Sequence, residues 1–249
     1  MKKAILAVLF CLMLTAGAAS ADTMDVLKPV WLLALEEAQA GDETVVYPEP
    51  QIISATEGLE VVRGTVYMSK HYSAEAYVYA ELKNTGDTPF YVNGTTLGVL
   101  GADGQRLSGR EYADSKPGVI MPGESAFVTE WLYDFVDDPG RVHTIEVNVE
   151  RSQHGYRSIE MLPDARAYAE DGYLYAEVHN ASDKPVFDAG VTAVMLDAGG
   201  KILDILQVET YANVGAAPGS TLVFRKRLEG HAMNRPDAVF EAYAYVYHD

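Results

Sequence analysis

Six histidines, a knot of three aspartates and sixteen tyrosines are the side chains from which this 249-residue chain could build chemistry. His71, His143, His154, His179, His231 and His248 never fall two apart on a strand pattern or four apart on a helical one. Zinc sites that begin from a local ligand pair are therefore not written here. Asp134, Asp137 and Asp138 crowd the segment DFVDDPG, and three carboxylates in one loop can hold calcium. They lack the spacing of an EF-hand loop, and Pro139-Gly140 makes a plain acidic turn the simpler reading. Paired carboxylates for glycoside hydrolysis need a cleft and a defined separation, and the sequence supplies neither. No Gly-x-Ser-x-Gly, phosphate loop or dinucleotide fingerprint is present. The reading is no catalytic residue, no metal site and no cofactor.

The tyrosines are the compositional excess. Tyr77 and Tyr79 share one strand face, Tyr173 and Tyr175 another, and Tyr243, Tyr245 and Tyr247 a third. Rows of aromatic rings can bind sugars or peptides. They can equally cover a sheet or fill a domain junction, because tyrosine has an apolar body and a polar tip. Tyr77, Tyr79, Tyr173 and Tyr175 are the candidate binding surface, and whichever pair stays open to solvent is the better candidate.

Those four tyrosines belong to a phrase written twice: YAELKNTGDTP at Tyr79–Pro89 and YAEVHNASDKP at Tyr175–Pro185, 96 residues apart. Over Ala76–Leu107 against Gly172–Leu203, 13 of 32 positions are identical without a gap, and Pro122-Gly123 matches Pro218-Gly219 at the same offset. Solenoid repeats run about 20–50 residues. A period this long is the size of a domain, so a domain was duplicated.

Each copy reads as strands. Val78, Ala80 and Leu82 alternate with Tyr77, Tyr79 and Glu81, and Leu174, Ala176 and Val178 with Tyr173, Tyr175 and Glu177. Period-two alternation marks half-buried strands whose small apolar residues point between two sheets and whose tyrosines point the other way. Turn residues follow at Asn84–Asp87 and Asn180–Asp183. Further strands are expected at Leu59–Met68, Thr95–Val99, Ala126–Tyr133 and His143–Val149. In the second copy they are expected at Arg157–Ala169, Val191–Met195, Thr221–Leu228 and Ala238–Tyr247. No βαβ rhythm is visible. The fold class is all-β, two tandem antiparallel β-sandwiches over residues 51–151 and 152–249, breaking near Arg151–Tyr156.

The order Val78-x-Ala80-x-Leu82-x-Asn84 and Leu174-x-Ala176-x-Val178-x-Asn180, followed by a turn, a strand and Pro122-Gly123-Glu124 or Pro218-Gly219-Ser220, resembles the FxLYD-type and related immunoglobulin-like repeats of bacterial secreted and surface proteins. Ala80 and Ala176 stand where glycine is commoner in that family. Asp197 precedes the second turn while Gly101 replaces it in the first copy. The resemblance covers roughly Leu59–Asp249. It implies immunoglobulin-like sandwiches and a non-catalytic extracellular module, and it brings no active-site residues.

The N-terminus reads as a secretory signal over residues 1–21. Lys2 and Lys3 are its positive start, Ala4–Leu14 its apolar run and Ala19-Ser20-Ala21 its cleavage site. Cys11, the only cysteine, lies inside that run, so a processed chain has no thiol chemistry and no disulfide. Residues 22–50 fall outside the repeat, and Pro29–Glu37 reads as a short helix, docked on the first sandwich or free to reach a partner through Trp31. The net charge is −17, and losing two lysines with the signal makes it −19. Such a surface repels nucleic acid and anionic lipid. The expected protein is secreted or extracytoplasmic, has no transmembrane segment, and binds an extracellular protein or polysaccharide. The alternative is a regulator or inhibitor of an extracellular enzyme that acts through its loops.

Overall fold

Alternation along the chain becomes a stack of β-sheets in the computed structural model, which describes residues 47, 49–70, 74–110, 112–133, 135–153, 157–210 and 215–248. The signal segment, the helix expected after Pro29, His71, His154 and Asp134 lie outside the described residues, as does half of the expected break between the copies. Val46–Asp249 form one unit, and a buried cluster joins the two copies.

The first copy contains β1 (Gln51–Ser54), β2 (Leu59–Lys70), β3 (Ala74–Asn84), β4 (Phe90–Leu100), β5 (Arg106–Arg110), β6 (Asp114–Lys116), β7 (Val119–Ile120), β8 (Ser125–Tyr133) and β9 (Thr144–Arg151). They form a sheet ordered β1-β9-β4-β5, with β7 beside β4, and a facing sheet ordered β2-β3-β8-β6. Between them lie Ala76, Val78, Ala80 and Leu82 of β3, with Leu97 and Val99 of β4 and Ile145 and Val147 of β9. Each of these side chains is essentially without solvent contact.

The second copy contains β10 (Ser158–Leu162), β11 (Ala165–Glu170), β12 (Tyr173–His179), β13 (Ala189–Leu196), β14 (Ile202–Glu209), β15 (Thr221–Arg227) and β16 (Val239–His248). One sheet runs β10-β16-β13-β14 and the other β11-β12-β15. Leu174, Ala176, Val178, Val191, Ala193 and Met195 fill the space between them. The single opening strand expected over Arg157–Ala169 is two strands in two sheets. Pro163, with no N–H to donate, stands between β10, which pairs with β16, and β11, which pairs with β12.

The repeated asparagine explains why the phrase is written twice. Asn84 Nδ2 donates to the carbonyls of Thr88 and Ile120, both at 2.9 Å, while its Oδ1 accepts from Gly86 N. Asn180 repeats this wiring on Lys184, Ala216 and Ser182. The backbone of each asparagine also bonds the Pro-Gly turn, through Gly123 N and Glu124 O in one copy and Gly219 N and Ser220 O in the other. One side chain thus ties the end of a strand to its turn and to a distant loop, and a buried amide pays its desolvation only when so fully bonded.

The two sandwiches meet sheet on sheet. The outer face of β2-β3-β8 packs on the outer face of β13 and β14, and Tyr79, Phe127, Val194, Leu196, Ile202 and Ile205 form a third buried cluster there. The layer order is therefore β1-β9-β4-β5, then β2-β3-β8-β6, then β10-β16-β13-β14, then β11-β12-β15. The first and last sheets are the ends of the stack.

Candidate functional site

Strand register puts Tyr77, Tyr79 and Glu81 on the face of β3 opposite Val78 and Ala80, and that face is the junction between the sandwiches. Tyr79 is 2% exposed, and its hydroxyl donates to Asp204 Oδ1 at 3.2 Å. Burial, above all other causes, pushes its phenol far up from the ordinary value. Arg63 lies opposite Glu81, bonds it, and reaches across to Glu241 Oε1 and Oε2 at 3.1 and 2.6 Å. The Arg63 hydrogen bond holds the Glu241 carboxyl below its usual range. Tyr67 donates to the Ile202 carbonyl at 3.0 Å, and burial pushes its phenol up to about 12. The first pair of candidate tyrosines thus serves a contact inside the molecule.

Beside that junction opens a cleft of about 270 Å³ lined by Tyr77, Thr129, Trp131, Lys226 and Glu229 among others. Tyr77 and Trp131 stack nearly parallel with centroids 6.0 Å apart, and Trp131 is 49% exposed. Asp204, fully buried, bonds two of the lining residues, Tyr79 and Lys226. It accepts from Tyr79, from Lys226 Nζ at 2.7 Å and from the backbone N–H groups of Ile205 and Glu229. Those four donors occupy the carboxylate in structural hydrogen bonds. His231 closes the same region. Its ring lies 3.9 Å from that of Tyr67 at an interplanar angle of 20°, and its Nε2 donates to the Leu203 carbonyl at 3.0 Å. Burial, above all other causes, lowers its pKa from 6.5.

Tyr173 and Tyr175 have a different fate. They stand on the face of β12 opposite Leu174 and Ala176, at the outer end of the stack, and both are partly exposed. Their neighbours on the same face come from β11 and β15: Arg166 and Tyr168 on one side, Val223, Arg225 and Arg227 on the other. Tyr168 and Tyr175 stack with centroids 4.9 Å apart and planes 3° from parallel. The Arg166 guanidinium lies 4.8 Å from the Tyr168 ring and that of Arg225 4.8 Å from the Tyr173 ring. Tyr168 donates to Glu177 Oε1 at 2.9 Å, with Arg166 Nε 3.6 Å from Glu177 Oε2. This is a ladder of rings and guanidinium groups with both edges in water. Three arginines stand here against Glu170 and Glu177, in a chain whose net charge is −17. Such a face offers stacking surface and charged donors to a carboxylate-bearing partner.

The sequence named the tyrosines but not Arg166, Tyr168, Arg225 or Arg227. Their signal was the alternation within Arg157–Ala169 and Thr221–Leu228, which puts them opposite Ala165, Ala167, Leu222 and Phe224. Only the pairing of β11 and β15 to the two edges of β12 brings them together. The remaining polar candidates are dispersed. His143 and His179 each bond a threonine hydroxyl, and His248 pairs with Glu160. Asp138 caps a short 3-10 turn through Gly140 N. Among the described residues no group of three or more His, Cys, Asp or Glu side chains is placed to hold a metal ion, and no helix is long and apolar enough to cross a membrane.

No family model matches the chain, and no curated protein does. Among solved structures it is similar to a transglutaminase of red sea bream, at 14% identity over 68% of this chain and 27% of that one, with a TM-score of 0.18. It is also similar to the secreted serine protease VesC of Vibrio cholerae, at 11% identity over 84% of this chain and 48% of that one, again with a TM-score of 0.18. The chain spans less than half the length of either. Superpositions that loose establish neither a shared fold nor a shared activity.

Proposed function

We propose that this is an extracytoplasmic, non-catalytic module of the FxLYD-like immunoglobulin type, which holds a partner on the outer face of its second sandwich. One observation carries the reading. Of two duplicated Tyr-x-Tyr-x-Glu faces, one packs against the neighbouring sandwich, which buries Tyr79 and Glu81, and the other stands open, flanked by Arg166, Arg225 and Arg227. The buried acid Asp204 is consumed by structural hydrogen bonds, which favours binding over catalysis. The positive start, apolar run and small-residue cleavage pattern of residues 1–21 support export.

The partner is an extracellular protein or polysaccharide that presents carboxylates to the arginines and flat surface to the rings. Immobilised protein exposed to the extracellular fraction and to a panel of acidic polysaccharides tests this. The wild type should retain a component that Tyr173→Ser/Tyr175→Ser does not, at an unchanged melting temperature. Equal retention by both proteins would remove the face from the account.

A further inference from the structure

The duplication supplies a template for what sits on the open face. Within the chain, the tyrosine face of the first copy packs on the outer face of the β13-β14-β16 sheet of the second. Two faces of the same descent are left over: the tyrosine face of the second copy, at one end of the stack, and the outer face of β4-β5-β9 of the first, at the other end. We propose that these two faces bind each other between molecules, so that a second copy of this chain, joined head to tail, occupies the Tyr173–Tyr175 face. The proposal rests on the binding reading above and gives the partner its identity.

The residues that would meet follow from register. Arg63 faces Glu81 as Arg166 faces Glu177. Glu241 pairs with Val194 as Glu146 pairs with Gly98, and Val194 and Gly98 are 96 positions apart. The bridge between Arg63 and Glu241 inside the chain therefore becomes Arg166 to Glu146 between chains. Tyr67 faces Tyr77 as Glu170 faces Tyr173, and Ile202 pairs with Leu196 as Arg106 pairs with Leu100. The contact of Tyr67 with Ile202 thus becomes Glu170 to Arg106. Both transposed pairs join opposite charges.

The rest of each face has changed in the complementary sense. The first-copy face has exchanged Val194, Tyr243 and Tyr245 for Gly98, Asn148 and Glu150, and both Asn148 and Glu150 are exposed. The second-copy face has exchanged Phe127, Thr129 and Trp131 for Val223, Arg225 and Arg227. A junction with an apolar centre inside the chain has a more polar, charge-matched counterpart outside it, which is the composition of a reversible contact. Two unlike faces at opposite ends of a stack form a heterologous contact, and such contacts lead to open chains unless the rotation closes a ring.

Sedimentation velocity of the purified full-length protein tests this between about 1 μM and about 1 mM, the range in which contacts of micromolar to millimolar affinity saturate. At low salt the average mass should rise with concentration past that of a dimer, and molar salt should return it to monomer. Arg166→Glu and Glu146→Arg should each hold the protein monomeric. Mixing those two variants, or combining both changes in one chain, should restore growth, because the exchanged charges again face each other. A wild type monomeric throughout, or an association that neither variant affects, would overturn the proposal. If that monomer still retains an envelope component in a manner dependent on Tyr173 and Tyr175, only the self-association fails. If it retains nothing, the binding reading fails with it.

Discussion

His231 shows what one side chain at the junction contributes. It belongs to the second copy yet lies against three tyrosines of the first, with centroid distances of 3.9 Å to Tyr67, 5.2 Å to Tyr77 and 6.0 Å to Tyr79. Burial dominates its environment. Asp204 and the Leu203 carbonyl favour the cation, Lys226 and Lys201 oppose it, and the balance lowers its pKa from 6.5. The unfolded chain takes up this proton as pH falls past about 6.5, while the folded chain does so only at lower pH. Stability from this group is therefore full above pH 6.5, declines as pH falls below it, and stops declining once the folded histidine is also protonated. Melting temperatures of wild type and His231→Gln across pH 7.5 to 5 should show a decline in the wild type that is shallower in the variant; parallel curves would mean that the histidine titrates freely. The sequence offered His231 only as one of six scattered histidines. It stands in a short 3-10 turn, Gly230–Ala232, between β15 and β16, and its role depends on a sheet from the other copy.

The strands themselves were largely legible, because a half-buried strand must alternate and a turn must carry residues that bond their own backbone. Val78, Ala80 and Leu82 point between the sheets, as their alternation with Tyr77, Tyr79 and Glu81 required. The short edge strands β1, β6 and β7 carry no such alternation, and β1 pairs parallel to β9, a contact set by the path of the chain and by no local pattern. Sequence identity can also hide a difference in cause. Gly94 and Gly190 occupy the same place in the repeat, but a Cβ on Gly94 would meet open space while one on Gly190 would lie 2.2 Å from the Tyr245 ring. Tyr245 is fully buried and cannot move aside. Gly190→Ala should destabilise by about 1–3 kcal/mol, the usual cost of overpacking, whereas Gly94→Ala should change stability by less than about 1 kcal/mol. Urea denaturation of the two variants checks the difference, and equal costs would show that the glycine answers to the strand and not to the ring.

At the scale of the molecule, two sandwiches that carry the repeated phrase meet, and contact between them makes their surfaces unequal. The tyrosine face of the first copy became interior and that of the second became an outer end of the stack. The sequence carried the repeat and the register that turns the tyrosines away from the cores. It did not carry the choice between the two faces, since Tyr79 and Tyr175 stand in the same phrase, Tyr-Ala-Glu. That choice comes from Phe127 and Tyr243 packing 5.0 Å apart, from Arg63 reaching Glu241 and from Lys116 reaching Glu209, all contacts between residues far apart in sequence. The most direct test replaces the same tyrosine in each copy. Tyr79→Ser removes a buried ring and its bond to Asp204, and should cost about 3–5 kcal/mol on chemical denaturation, the range for truncating a buried aromatic side chain. Tyr175→Ser removes a ring from the open face and should cost less than about 1 kcal/mol. Equal losses from the two substitutions would contradict the assignment of one face to the interior and the other to a partner.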